Sequence, residues 1–144
     1  EIEVLKEGKD ITIISYGATL QLVIEASNQL EKFNIKPEVI DIQTLIPFDL
    51  SCQIKTSITK TNKLLIVDED MPGGGTAYIL QQLLDNQNIY NLLDSEPKLL
   101  SAKDHRPAYG TDGDYFSKPN VNDIFEAVYQ LMNEINPKEY PNLF

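Results

Sequence analysis

The stretch from Lys63 to Leu84, KLLIVDEDMPGGGTAYILQQLL, constrains the fold of this chain more than any other. Leu64, Leu65, Ile66 and Val67 form a continuous apolar run, as in a strand covered on both faces. Asp68, Glu69 and Asp70 stop it, and Pro72 with Gly73, Gly74 and Gly75 turns the chain. From Thr76 the apolar period becomes helical, with Ala77, Leu80 and Leu84 on one face and Ile79 and Leu83 alongside. Strand, glycine turn and helix make half of a parallel crossover unit. The turn then lies at the carboxyl edge of a sheet, where ligands and partners gather in open α/β folds.

The remaining segments repeat that alternation. Ile11, Ile13 and Ile14 form a β-branched run ending at Tyr16-Gly17. Helical spacing follows, with Thr19 as the expected N-cap and Val23, Ala26, Leu30 and Phe33 on one stripe. After Pro37 the chain is extended through Val39, Ile40 and Ile42. Beyond Pro47, Asp49 can cap a short helix bearing Leu50, Ile54 and Ile58. Asn86, Asn88, Asn91 and Asp94 mark a polar connection before a fourth strand, Lys98 to Ala102. Lys103 to Asn120 is irregular, and loops of that length are usually functional or interfacial. Asn120 and Asp123 resemble a capping box for a last helix. That helix buries Ile124, Val128, Leu131 and Met132, flanked by Phe125 and Ile135, and stops at Pro137. The pattern predicts an α/β fold, a three-layer α/β/α arrangement around a mostly parallel sheet.

With 144 residues, 42% hydrophobic and 24% charged, the chain has the composition of one ordinary globular domain. No apolar run reaches the roughly 20 residues of a membrane span, and no signal peptide is visible. The single cysteine, Cys52, cannot form a disulfide within the chain and points to a reducing compartment, with a cytoplasmic, bacterial location expected. Twelve basic against twenty-two acidic residues give a formal charge of −10. Such a surface repels nucleic acid and anionic membranes, and serves either to steer a basic protein partner inward or for solubility alone. The chain opens in mid-pattern at Glu1-Ile2-Glu3, so residues 1–10 read as a lead-in from a missing upstream domain, 11–135 as the folded domain and 136–144 as a C-terminal tail.

Candidate chemistry is sparse. Gly73, Gly74 and Gly75 before a helix invite a phosphate reading, but no Lys-Ser/Thr follows and three carboxylates stand in front. A tight structural turn is the better expectation. The Asp68-x-Asp70 spacing fails as a calcium loop, because Ile79 stands where a bidentate Glu is needed. Asp68, Glu69 and Asp70 are read as a solvated acidic rim, with a magnesium site as the lesser alternative. His105, the only histidine, has no visible nucleophile, and Glu25 and Asp41 show no paired-carboxylate signature. The residues describe an α/β domain with a busy edge and no self-contained active site.

Three ordered blocks carry a resemblance. ITIISYGATLQLVIEA (Ile11–Ala26), EVIDIQTLIPFD (Glu38–Asp49) and KLLIVDEDMPGGGTAYI (Lys63–Ile79) resemble the C-terminal domain of the transketolase superfamily. Within it they are most similar to the beta subunit, or beta half, of the thiamine diphosphate-dependent 2-oxoacid dehydrogenases, of branched-chain or pyruvate type. Gln43 stands where that family usually has Arg, and Gly75, Thr76 and Tyr78 replace its usual F, G and E. Leu93-Asp94-Ser95-Glu96-Pro97 is similar to the family's L-D-A-P, lengthened by one residue. Tyr115 to Pro119 with Val121, Asp123 and Ile124 resembles Y-x-P-S-V-E-D-I.

The resemblance implies a domain that packs beneath the cofactor-binding domains, builds a dimer and offers a site to the dihydrolipoyl acyltransferase core. The whole enzyme would use thiamine diphosphate and magnesium, bound by other domains, to decarboxylate a 2-oxo acid and acylate lipoyl groups. The family's G-D-G…N-N thiamine fingerprint is absent: Gly113-Asp114 is followed by Tyr115, and Asn120 and Asn122 come too soon. No catalytic, cofactor or metal residue is therefore expected in this segment. Asp94, helped by the Phe144 carboxylate if that residue is the natural end, is expected to dock the acyltransferase subunit-binding domain. The other expected partners are the alpha half of the enzyme and a dimer mate. Alternatives are a transketolase or deoxyxylulose-phosphate synthase C-terminal domain, or a free-standing protein-binding module.

Overall fold

In the computed structural model, residues 2–42, 53–68, 81, 89–100, 103–104, 116–117 and 119–143 are described. Strands β1 (Ile2–Lys6), β2 (Ile11–Ser15), β3 (Pro37–Ile42), β4 (Leu64–Val67) and β5 (Lys98–Leu100) form one sheet in the order β1-β3-β2-β4-β5. From β3 across to β5 all pairings are parallel, while β1 adds antiparallel to β3 at the edge, with an irregularity between Val4 and Lys6. A separate two-stranded ladder joins β6 (Lys103–Asp104) to β7 (Phe116–Ser117). This is the expected mostly parallel α/β architecture. The antiparallel edge strand falls within residues 1–10, where no strand was expected.

Helices α1 (Thr19–Glu31) and α3 (Val121–Ile135) cover one face, and α2 (Gln53–Thr61) covers the other. Alternation along the strands explains the split. Ile11, Ile13, Leu65 and Val67 join Val23, Ala26, Leu30, Ile124 and Val128, whereas Ile14, Ile40, Leu64 and Ile66 pack with Ile54 and Ile58. All of these are buried. Thr12 points to the α2 side, and its hydroxyl lies 2.7 Å from both Ser57 Oγ and Thr61 Oγ1, so a polar residue in a central strand is fully partnered.

Helix ends follow local chemistry. The Asn120–Asp123 capping box is reciprocal: Asp123 N–H donates to Asn120 Oδ1 at 2.8 Å and Asn120 N–H to Asp123 Oδ2 at 3.0 Å. Past α1, Asn34 takes φ 67° and lets the Ile35 N–H reach Leu30 O at 3.1 Å; past α2, Asn62 takes φ 61°. Asparagine tolerates this left-handed region and ends helices there. The N-terminus of α1 departs from expectation. Ala18, not Thr19, is the N-cap, and no side chain caps it. Thr19 Oγ1 instead donates to Tyr16 O at 2.7 Å, because Gly17 at φ +67° brings the chain into the helix one residue sooner. Phe33 lies beyond α1 and is 40% exposed, so it ends the predicted stripe at the surface. The expected fourth strand is found as β5 over Lys98–Leu100, with Ser101 and Ala102 outside the described residues, and the connection before it holds a 3₁₀ turn, Ile89–Leu92, that buries Ile89. The expected cap at Asp49 with Leu50 lies outside the described residues, as do Cys52 and His105.

Candidate functional site

The chain leaves β2 for β3 on one side and returns to β4 on the other, so the strand order reverses between β2 and β4. A crevice at the carboxyl ends of such a strand pair is the usual binding position in open α/β sheets. The residues at those strand ends are Ser15 to Thr19 after β2 and Val67 and Asp68 at the end of β4. The Ser15 hydroxyl donates to Val67 O at 2.8 Å and sits 2.8 Å from Thr19 Oγ1. Tyr16 OH donates to Asp68 Oδ2 at 2.9 Å, and the Asp68 N–H donates to Leu100 O at 2.9 Å. Asp68 is only 1% exposed. This overturns the acidic rim at Asp68: its carboxylate is a buried acceptor from the end of β2, and its backbone N–H ties β4 to β5. Glu69 and Asp70, and the turn glycines Gly73, Gly74 and Gly75, lie outside the described residues.

Sequence reasoning missed this cluster because Asp68 was read with its two acidic neighbours. The available signal was Ser15-Tyr16-Gly17-Ala18-Thr19 directly after a buried strand. The cluster's hydrogen bonds tie the ends of β2, β4 and β5 to one another and to the start of α1.

Asp94 sits at the opposite, amino edge of the sheet. Its N–H donates to Asn62 O at 2.9 Å, and Asn62 Nδ2 donates to Leu92 O at 2.7 Å. Lys63 Nζ donates to Asp94 Oδ2 at 3.1 Å, with the lysine side chain 12% exposed and the aspartate 46%. The left-handed Asn62 thus fixes a corner that holds Asp94 at the surface and tethers one of its oxygens. Phe144 lies outside the described residues.

A third polar group ties α2 to the start of β3. Glu38 is 4% exposed and accepts from Lys60 Nζ and from the Gly8 N–H at 3.2 Å. Burial pushes its carboxyl up, but the hydrogen bonds from Lys60, Ser57 and Gly8 and the Lys60 charge outweigh that and hold it below the usual 4.5. Among the described residues no three of His, Cys, Asp and Glu come together to hold a metal ion. None of the described helices is long and apolar enough to cross a membrane.

Comparison with known proteins decides the family. The profile of "Transketolase, C-terminal domain" matches residues 1–123. The chain belongs to the transketolase C-terminal domain family. As a member of that family it is similar to the pyruvate dehydrogenase E1 component subunit beta of Mesostigma viride, at 37% identity over 130 residues, covering 90% of this chain and 39% of that protein. The subunit of the same name from Rickettsia felis is 30% identical over 131 residues, covering 91% and 40%. A chloroplastic one from Arabidopsis thaliana, subunit beta-2, is 35% identical over 131 residues, covering 91% and 32%. The chain therefore spans about two fifths or less of the curated relatives it matches. A solved structure described as a split gene transketolase, inactive beta4 tetramer, superposes with a TM-score of 0.64 at 22% identity, over 90% of this chain and 40% of that one. The transketolase C-terminal fold is thereby matched in three dimensions as well as in sequence.

Proposed function

We propose that this domain is the C-terminal assembly and docking domain of a thiamine diphosphate-dependent 2-oxoacid dehydrogenase decarboxylating component. The observation that carries the reading is the 37% identity, over 90% of the chain, to a pyruvate dehydrogenase E1 beta subunit. Pyruvate is the favoured substrate because the relatives reported above are pyruvate dehydrogenase subunits; a branched-chain 2-oxo acid is the alternative. In the whole enzyme the cofactor with its magnesium supplies the electron sink for decarboxylation. This chain is assigned no part in holding that group, a reading supported by the lack of three converging metal-ligating side chains among its described residues. The work assigned to this chain is to pack against the alpha half and a dimer mate, and to present Asp94 to a basic subunit-binding domain of the acyltransferase.

The support at Asp94 is its surface position on a fixed corner, in a chain of formal charge −10. A pre-positioned carboxylate loses less freedom on binding than a mobile one. The test is reconstitution of the whole enzyme with its alpha partner. Pyruvate-dependent decarboxylation and lipoyl acylation support the reading; ketol transfer between sugar phosphates in their place would overturn it in favour of a transketolase.

A further inference from the structure

The corner that carries Asp94 is bolted to the middle of the sheet. Thr12, in β2, donates its backbone N–H to Lys63 O at 2.9 Å, and its hydroxyl lies 2.7 Å from that of Thr61. Thr61 Oγ1 in turn lies 3.2 Å from Lys63 O, and both threonines are buried. Asn62 stands between these two fixed residues. Its N–H closes α2 on Ile58 O at 2.7 Å, and its backbone turns left-handed at φ 61°. From there it reaches across to the segment around the 3₁₀ turn with backbone and side chain together. Its carbonyl accepts the Asp94 N–H at 2.9 Å, and its Nδ2 donates to Leu92 O at 2.7 Å. Lys63 Nζ adds a third tie, to Asp94 Oδ2 at 3.1 Å, and the aspartate side chain stays 46% exposed.

We propose that Asn62 is a positioning residue for docking, setting the direction in which the Asp94 carboxylate meets a basic side chain of the acyltransferase subunit-binding domain. This rests on the docking reading above. Asn62 grips the chain on both sides of Leu93, so the segment cannot swing about either Leu92 or Asp94 alone. The position makes two demands on its residue. The left-handed φ excludes most side chains, and glycine, which accepts it, has no donor for Leu92 O. Aspartate tolerates the conformation but, ionised, only accepts. Asparagine meets both demands. A carboxylate held in place before the partner arrives loses less freedom on binding, and such gains are read mainly in the lifetime of the complex. Asn62 carries no charge, so its loss leaves the steering of a basic partner unchanged.

The test is surface plasmon resonance of the whole enzyme against the isolated subunit-binding domain, at two salt concentrations, with Asn62→Gly, Asp94→Ala and the double variant. Asn62→Gly keeps the left-handed turn and the backbone acceptor and removes the Nδ2 donor. It is expected to speed dissociation about three- to tenfold, with the association rate and its salt dependence as in wild type. Thermal melts confirm that each variant is folded. Once Asp94 is alanine, the change at Asn62 is expected to have no further effect, a coupling that a purely structural role would not produce. Wild-type dissociation of Asn62→Gly beside weakened Asp94→Ala would overturn the positioning role and leave the docking reading standing. Equal losses from Asn62→Gly with and without Asp94 would overturn it too, since Asn62 would then act on the fold alone. Wild-type docking by Asp94→Ala would remove the docking reading, and this inference with it.

Discussion

The Tyr16 hydroxyl donates to Oδ2 of Asp68 across 2.9 Å and so joins the carboxyl ends of the two central strands, β2 and β4. Those ends flank the point where strand order reverses, and the bond holds a buried carboxylate beside it. Hydrogen bonds to charged groups contribute about 1.5–3 kcal/mol. Tyr16→Phe keeps the ring and removes only the donor. It should lower stability by about that amount, read as a shift in the denaturant midpoint with unchanged slope. No loss would mean that the other interactions of Asp68 suffice.

Two glycines should resist alanine for different reasons. A Cβ on Gly8 would lie 2.2 Å from Pro37 O and 2.3 Å from Lys36 O, both backbone atoms that cannot step aside. Gly8→Ala should therefore move the β1–β2 turn off the start of β3 and cost about 1–3 kcal/mol, as overpacking does. At Gly17 a Cβ meets nothing within 4 Å, and the penalty comes from φ +67° alone. About 1–2 kcal/mol is expected there. A Gly17→Asn variant separates the two causes: asparagine accepts the left-handed region and should recover part of the loss, whereas Gly8→Asn should recover none. Denaturant melts of the four variants give the comparison.

What the sequence revealed, and what it hid, follows from how local each signal is. The capping box at Asn120 and the stripe of Ile124, Val128, Leu131 and Met132 depend on residues within a few turns, and both are found. The four-residue run Leu64–Val67 is likewise a buried strand. β1 was hidden because Glu3, Lys6 and Glu7 surround its apolar residues and its pairing partner, β3, lies more than thirty residues on. Asp68 was hidden because its burial is set by Tyr16 and Leu100, each far away in sequence. Thr19 looked like a cap because its type fits, but the left-handed Gly17 lets the helix begin one residue sooner, with Ala18 in the cap position.

Glu38 should make stability pH-dependent in a defined direction. Its folded carboxyl titrates below 4.5, so it releases its proton more readily in the fold than in the unfolded chain. The stabilisation is then fully present above the unfolded value and is lost as pH falls through the folded one. Glu38→Gln should destabilise the protein by about 1–3 kcal/mol at neutral pH, since Lys60, Ser57 and the Gly8 N–H lose a charged acceptor. The gap between wild type and variant should narrow as pH drops below about 4.5. Urea melts from pH 7 down to pH 3 would show it; a constant gap would rule out titration of Glu38 as the source.

The segment by itself should not take up the cofactor of the whole enzyme. Calorimetric titration of the 144-residue chain with thiamine diphosphate and magnesium is expected to give only heats of dilution. Saturation at micromolar cofactor, an affinity near −8 kcal/mol, requires a formed site. Such a result would place cofactor-binding groups in this chain and defeat the division of labour proposed for it.

Asp94 has two separable jobs in the proposed enzyme. Inside the domain its carboxylate neutralises Lys63, which is 12% exposed, so Asp94→Ala should lower thermal stability modestly, by about 1 kcal/mol or less for so exposed a pair. Toward the acyltransferase, the same carboxylate is the proposed acceptor for a basic side chain. Truncating one member of a desolvated carboxylate–cation pair raises dissociation and costs about 2–5 kcal/mol, whereas losing a rim charge changes mainly the association rate and its salt dependence. Surface plasmon resonance of the whole enzyme against the isolated subunit-binding domain, at two salt concentrations, should therefore show Asp94→Ala docking at least about tenfold weaker. Decarboxylation by the free enzyme should be unchanged. Lys63→Met supplies the opposing control, because it removes a positive charge beside the docking position while leaving the carboxylate. If Asp94 serves only to hold Lys63, both variants will lose stability together and bind the subunit-binding domain as wild type does.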